Sequence, residues 1–407
     1  MDPRTGRRTR GTIVFLAALL LALLCTASLA LAWAARTTAR DHEASTLHAL
    51  QLAREALLAY AADRAIDVAV GPGYLPCPDR DGDGWAEATC GSLAGDSGQS
   101  QRLGLLPWKT LGLPELRDAD GGPLWYAVST RHKGLLNCAA SIACVDMTPA
   151  TALGTISVRD ASGAWLHDGR LADAARAIEG GAAAVVIAPG APFTRADAHA
   201  TQARGCPPGA CAPADFLDVA PGLDDNAAFQ DRSDARAGNG DGFVAGPVIG
   251  ADGAILVNDR LVAIGYADLM PRVMARVAIE AAQCLRLARA EAGTWPTPAA
   301  GCDSATPPSL GRIPDIARPG CNLGSGPHAW WTTWSPFVRY ARPAACAAGG
   351  DCVHLIDRQG NTLATGHAAA IAVGVRAGEC ATPRIACDTG RCDARVSEGL
   401  DVLLPLP

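Results

Sequence analysis

The chain has 407 residues, 49% of them hydrophobic, with only 5% aromatics and a formal net charge of −6. That length suffices for two or three domains with real cores, and the lack of a basic tract beyond the first ten residues argues against nucleic-acid binding, which needs a concentrated positive footprint. Lysine occurs only at Lys109 and Lys133 while arginine and alanine abound, so a single Arg or Ala carries little functional information.

At the N-terminus Arg4, Arg7, Arg8 and Arg10 stand before Gly11, and residues 12–35 then run without a charge. At about 1.5 Å per residue this stretch spans roughly 36 Å, which predicts a transmembrane helix. The positive-inside rule keeps residues 1–11 cytoplasmic and carries everything after Arg36 across the membrane. The expectation is a single-pass bacterial inner-membrane protein with its C-terminal ectodomain in the periplasm. A cleaved secretory signal has a shorter apolar core, about 7 to 15 residues, although Ala30-Leu31-Ala32 and Ala32-Trp33-Ala34 offer small-residue sites.

The ectodomain reads as two copies of one α+β plan. Amphipathic helices are predicted over Glu43 to Ile66, with Leu47, Leu50, Ala53, Leu57 and Ala61 inward, and over Asp268 to Ala292, with Val273, Val277, Ala281, Cys284 and Ala288 inward. Each is followed by matching landmarks: Tyr74-Leu75-Pro76 answers to Trp295-Pro296, and Trp125-Tyr126-Ala127 to Arg339-Tyr340-Ala341. Cys138 and Cys144 share their spacing with Cys346 and Cys352. Two strand signals come next in the same order. The segment starting at Ile156 pairs with that starting at His354, each meeting a hairpin turn, and the apolar run from Ala183 to Pro189 pairs with that from Ala369 to Val375. The predicted division is a leader over 1–11, a transmembrane helix over 12–35, a first lobe over 36–191, an irregular Gly/Asp/Pro-rich extension over 192–255 and a second lobe over 256–407. Asp268 is the expected N-cap of the second helix.

Cys25 lies in the apolar run and fourteen cysteines follow, an even number that suits an oxidising compartment. Close spacing suggests local loops closed by Cys138 with Cys144, Cys206 with Cys211, Cys346 with Cys352 and Cys387 with Cys392, and a bond between Cys77 and Cys90 is added to these as a guess at the remaining pairings. The same guess joins Cys284 with Cys302, which leaves Cys321 with Cys380. Zinc needs C-x-x-C or Cys/His spacing, and neither occurs.

Asp79, Asp81, Asp83 and Glu87 around Gly82 and Gly84 make the best candidate metal site, because alternate carboxylates converge at a glycine turn and a hard cation such as Ca²⁺ takes such oxygens. Cys90 stands where an EF-hand loop carries its last ligand; a turn that binds nothing is the plain alternative. No G-x-S-x-G, H-E-x-x-H, phosphate-loop or dinucleotide fingerprint is present, so no enzyme is expected. His328, His354 and His367 could meet Asp357 in space, but nothing in their spacing supports it. Trp330, Trp331 and Trp334 are read as core, with a sticky partner-binding platform as the alternative.

The basic leader and Gly11 before Thr12-Ile13-Val14-Phe15-Leu16 resemble the start of type IV prepilins and type II secretion pseudopilins. The segments Leu52 to Ala61, Gly73 to Gly84 and Leu105 to Leu113 look like a group of bacterial prepilin-like proteins. The resemblance covers about the first 130 residues. It implies cleavage between Gly11 and Thr12, and a long helix whose outer half packs on an antiparallel sheet. The family's usual glutamate at the fifth mature position is here Leu16, as in some minor pseudopilins that also lack it. The implied function is a non-enzymatic minor, tip-type or accessory component of a type IV pilus or type II secretion pseudopilus, whose partners are other pilin subunits and the inner membrane. The alternative is a membrane-tethered periplasmic binding module or adhesin, with Ca²⁺ as its cofactor, that enters no filament.

Overall fold

The computed structural model describes residues 5–63, 71–90, 99–133, 147–149, 151–169, 180–198, 200–206, 211–228, 242–299, 308–316, 321, 323, 330–357, 359–374, 385–387, 391–395 and 402–406. Its first element is a single helix α1, Thr5–Asp63. Among its described side chains those of the C-terminal part are packed: Thr46, Ala49, Leu50, Ala53, Leu57, Leu58 and Ala61 are buried at helical spacing, and Leu47, expected inward, is exposed because Thr46 takes the inner position. Further N-terminal, Phe15, Leu16, Leu19, Leu20, Leu21, Leu23, Leu24, Leu29 and Trp33 are all at least half exposed.

That helix corrects one expectation. Among the described residues no helix is long and apolar enough to cross a membrane. The transmembrane helix expected over 12–35, and with it the single-pass inner-membrane location with a periplasmic ectodomain, is therefore withdrawn. What stands is a mixed helix-and-sheet protein.

α1 lies on an antiparallel sheet made of β1 (Leu103–Leu105), β2 (Trp125–Val128), β5 (Ala184–Ala188) and β9 (Arg260–Ile264), in that order. On its outer face sits a second sheet in which β3 (Val158–Arg159) is flanked by β4 (Trp165–His167), antiparallel, and β6 (Phe243–Val244), parallel. A hairpin of β7 (Val248–Ile249) and β8 (Ile255–Val257) leads into β9.

Helix α2 (Tyr266–Ala292) then repeats the plan. It starts earlier than predicted: Gly265 is the N-cap, and Asp268 at the third helical position accepts the Gly265 N–H at 3.0 Å. Gly293 ends it in the left-handed conformation, φ 69°, that glycine adopts without a Cβ penalty. α2 packs on an antiparallel sheet of β10 (Leu310–Gly311), β11 (Val338–Ala341), β14 (Ala369–Val373) and β17 (Val402–Leu406), in that order. Outside it, β12 (Val353–Ile356) is again flanked by an antiparallel strand, β13 (Thr362–His367), and a parallel one, β16 (Cys392–Arg395), with β15 (Ile385–Cys387) added at the edge.

The correspondence extends to single residues. Leu103, Gly104 and Leu105 face Ala127, Tyr126 and Trp125, as Leu310 and Gly311 face Ala341 and Tyr340. Tyr126 donates its hydroxyl to Pro76 O at 3.0 Å, and Tyr340 donates to Pro296 O at 3.1 Å. Asp79 bridges Leu105 where Ala299 bridges Arg312. β9, assigned to the second lobe by sequence, closes the first sheet. Residues 192–255, expected to be irregular, supply Phe216, Leu217 and Phe243 to the buried layer between the first lobe's sheets.

One hydrophobic cluster runs through both helices and both inner sheet faces. At its margin Glu43 pairs with Arg260 (2.9 Å), Arg54 with Asp268 (2.6 Å) and Glu55 with Arg272 (2.6 Å), fixing how α1 lies against β9 and α2. Such half-exposed pairs contribute about 0.2–1 kcal/mol each, so apolar burial dominates. A short helix α3 (Trp330–Trp334) completes the core. Trp330, Trp331 and Trp334 are 5%, 6% and 1% exposed, and the Gly71 backbone lies so close that an added Cβ would sit 2.6 Å from the Trp330 Cβ. These indoles fill the core.

Candidate functional site

Cys77 and Cys90 are disulfide-bonded, with Cα atoms 5.6 Å apart, and close the acidic loop. The loop hangs on the edge strand β1 through two backbone bonds, Asp79 N to Leu105 O (3.0 Å) and Leu105 N to Asp79 O (2.6 Å). Asp79 is 1% exposed, and its two carboxylate oxygens accept the N–H groups of Gly82 (2.7 Å) and Gly84 (2.8 Å). Both glycines have positive φ, 81° and 88°, and a Cβ on Gly84 would meet the Trp108 ring at 2.7 Å, so the turn requires glycine there. Burial pushes the Asp79 carboxyl above its ordinary value, opposed by those two amides.

Oxygens of Asp79, Asp81 and Glu87 lie within 4.8 Å of one another; Asp83 is not part of that group. Asp81 accepts from Asp83 N (3.2 Å), Asp83 from Trp85 N (2.7 Å) and Glu87 from Arg80 N (3.2 Å). The Lys109 ammonium donates to Asp83 O and lies over the Trp108 ring. Three carboxylates fall short of the six to eight oxygens Ca²⁺ takes, and each also serves a backbone amide, so the residues present fit a self-supporting turn better than an ion cage.

Beside the loop opens a cleft of about 550 Å³ lined by Leu105, Glu115, Arg117, Asp120, Arg204 and Phe216 among others. Arg204 has φ 52°, a rare conformation for a side-chain-bearing residue, and its guanidinium lies 5.6 Å from the Phe216 ring. It donates to Pro189 O and Gln202 Oε1, while its Nε and Nη1 have no partner among the described residues. Burial lowers its pKa, and the nearby Asp259 and Asp218 counter that.

Asp218 and Asp259 form a buried pair that nothing in the sequence announced. Asp259 Oδ2 accepts from Asp218 N (2.8 Å) and Asn226 Nδ2 (2.8 Å), and Asp218 Oδ2 accepts from Asn258 N (2.7 Å) and Asp259 N (3.1 Å). Among the described residues Asp259 Oδ1 has no hydrogen-bond partner. Burial drives both carboxyls upward, and Asp259 furthest, because it is fully enclosed and faces Asp218. The two aspartates are 41 residues apart, so only the folded topology reveals them.

Cys206 is bonded to Cys211, Cys346 to Cys352 and Cys387 to Cys392, as their spacing suggests. Cys284 is bonded to Cys321, which corrects the expected pairing with Cys302. α2 carries Cys284 on its buried face, where Cys321 meets it; the expected Cys321–Cys380 bond is excluded with it. Cys138, Cys144, Cys302 and Cys380 lie outside the described residues. Gly11 and Thr12 fall within α1, but their side chains are not described. His354 contacts Asp351 at 3.1 Å while Asp357 is bound to Asn361, so the structure does not bring Asp357 to a histidine; His328 lies outside the described residues. No family model, curated protein or solved structure matches the chain.

Proposed function

We propose that the protein is a non-enzymatic, pilin-like assembly subunit, a minor or tip-type component of a type IV pilus or type II secretion pseudopilus. The observation that carries this reading is α1: a 59-residue helix whose C-terminal part is buried on an antiparallel sheet while large apolar side chains on its N-terminal part stay exposed. An all-round apolar helix in water is stable only when other surfaces cover it, and equivalent helices of neighbouring subunits would do so. Matching ladders over α1 and α2 support a duplicated head. A head of two disulfide-stapled lobes is bulky for a filament shaft, which favours the tip.

The test uses Cys25, the exposed free cysteine on α1, as a cross-linking probe in intact cells. A Cys25 cross-link to another pilin-like helix, together with a mature N-terminus at Thr12, is the expected result. Cross-links to no such helix with an intact Met1 would overturn the reading and move the weight to a binding module. Calcium enters separately: saturable calorimetric heat on the full chain, lost in Asp81→Ala, would make the acidic loop an ion site.

A further inference from the structure

The ladder pairs Leu310 with Ala341 and Gly311 with Tyr340; the next residues along the two strands, one step past the last pair, are Arg312 and Arg339, and Arg339 in turn faces Ala372. Like charges directly opposite on neighbouring strands are unfavourable unless something lies between them. Arg339 is only 2% exposed, whereas Arg312 is exposed. Arg339 Nη1 donates to Pro336 O (3.0 Å) and Val338 O (2.8 Å), and its Nε has no partner among the described residues. The backbone thus holds one end of the guanidinium and leaves the Nε/Nη2 edge, the edge that grips an oxyanion through two parallel N–H···O bonds. Among the described residues no carboxylate pairs with either arginine, and burial, with the nearby Arg312 behind it, lowers the pKa of Arg339. An unpaired buried charge is expensive. The equivalent positions in the first lobe, Leu105 and Trp125, are apolar, so the sheet itself does not call for a cation here.

We propose that Arg312 and Arg339 form an oxyanion-binding site on the second lobe's sheet, with Arg339 as the bidentate anchor and Arg312 as the exposed second clamp. The ligand class is a carboxylate or a phosphate, supplied by a partner's acidic side chain or free in solution. This site does not depend on the filament reading.

The experiment is thermal unfolding of the full chain in sodium phosphate, sodium acetate and sodium chloride at matched ionic strength, for wild type, Arg312→Gln and Arg339→Met. In the wild type phosphate or acetate raises the Tm above the chloride value; in both variants that increment is lost, and calorimetric affinity for the effective anion falls by about tenfold or more. In chloride, Arg312→Gln melts at or above the wild-type temperature because it relieves the repulsion. A larger increment with acetate points to a protein carboxylate, and one with phosphate alone to a phosphate group. The site is overturned if the increment persists in Arg312→Gln, since it would then be a general salt effect, or if Arg312→Gln lowers the Tm in chloride, since Arg312 would then be structural.

Discussion

In the first lobe the row of residues across the inner sheet reads Leu105, Trp125, Ile187, Leu261; in the second lobe the row one step past the last β10–β11 pair reads Arg312, Arg339, Ala372, Leu403. The backbone ladders match, yet the layers between the sheets are filled by different means. Trp125 and Phe216 meet at a tilt with ring centroids 5.3 Å apart, and Phe243 joins them in the first layer, whereas the described residues of the second are Leu310, Val353 and Ile385 with four alanines and the Cys387–Cys392 bond, and no aromatic ring is among them. One ladder can thus be held by large buried rings or by smaller residues with covalent staples.

The largest effect that tests this contrast is at the equivalent pair Trp125 and Arg339. Trp125→Ala removes a fully buried ring and is expected to cost about 3–5 kcal/mol in denaturant unfolding, while Arg339→Met, which removes a buried unpaired cation, is neutral or stabilising. Equal losses at both positions would mean that the two layers are held alike.

The disulfides come next. Opening Cys284–Cys321, with a sequence separation of 37, is expected to cost about 4 kcal/mol by the loop-closure relation, against about 2 kcal/mol for Cys206–Cys211 with a separation of 5. Double Cys→Ala variants compared by chemical unfolding check the order. A larger loss at Cys206–Cys211 would break the view that the second lobe depends more on its staples.

Much of this architecture was legible in the chain. The spacing of Val273, Val277, Ala281, Cys284 and Ala288 defined the buried face of α2, and the paired landmarks anticipated equivalent strands such as β5 and β14. Local patterns survive because a helix face or a hairpin is decided by near neighbours. Cys321 as the partner of Cys284, β9 as the closing strand of the first sheet, and the reciprocal Asp218–Asp259 bonds are set by segments that meet only after folding. Arg312 and Arg339 were hidden for another reason: arginine is so common here that two more carry no signal until the ladder brings them one step past its last pair.

Asp218 and Asp259 give the first lobe a proton-linked term for which the second shows no described counterpart. Their folded pKa values lie above the unfolded ones, so this stability is fully present below the unfolded carboxylate pKa and is lost as pH rises through the raised folded values. The group facing them with opposite charge is Arg204, and Asn226 and Gln202 supply neutral donors. Asp259→Asn is expected to flatten the fall in stability above about pH 4, by up to about 1.4 kcal/mol per pH unit where one proton is at stake. Unfolding midpoints of wild type and variant across pH 4–8 check the sign, and parallel curves would mean that Asp259 is already ionised in the fold.

The finest comparison is between Asp79 and Ala299, which make the same backbone bridge to β1 and to Arg312 beside β10. Because the bridge uses only N–H and C=O groups, it survives in the second lobe with no carboxylate at all. What Asp79 adds is the satisfaction of the Gly82 and Gly84 amides inside a turn that Ala299 does not support. Asp79→Ala is therefore expected to cost about 1–2 kcal/mol, the loss of two charge-assisted bonds offset by removing a buried carboxyl whose ionisation burial already resists. Asp81→Ala, at an exposed position whose carboxylate serves a single neighbouring amide, changes the unfolding midpoint little. The reverse order would mean that the loop is held by its exposed carboxylates, as an ion site requires, and not by Asp79.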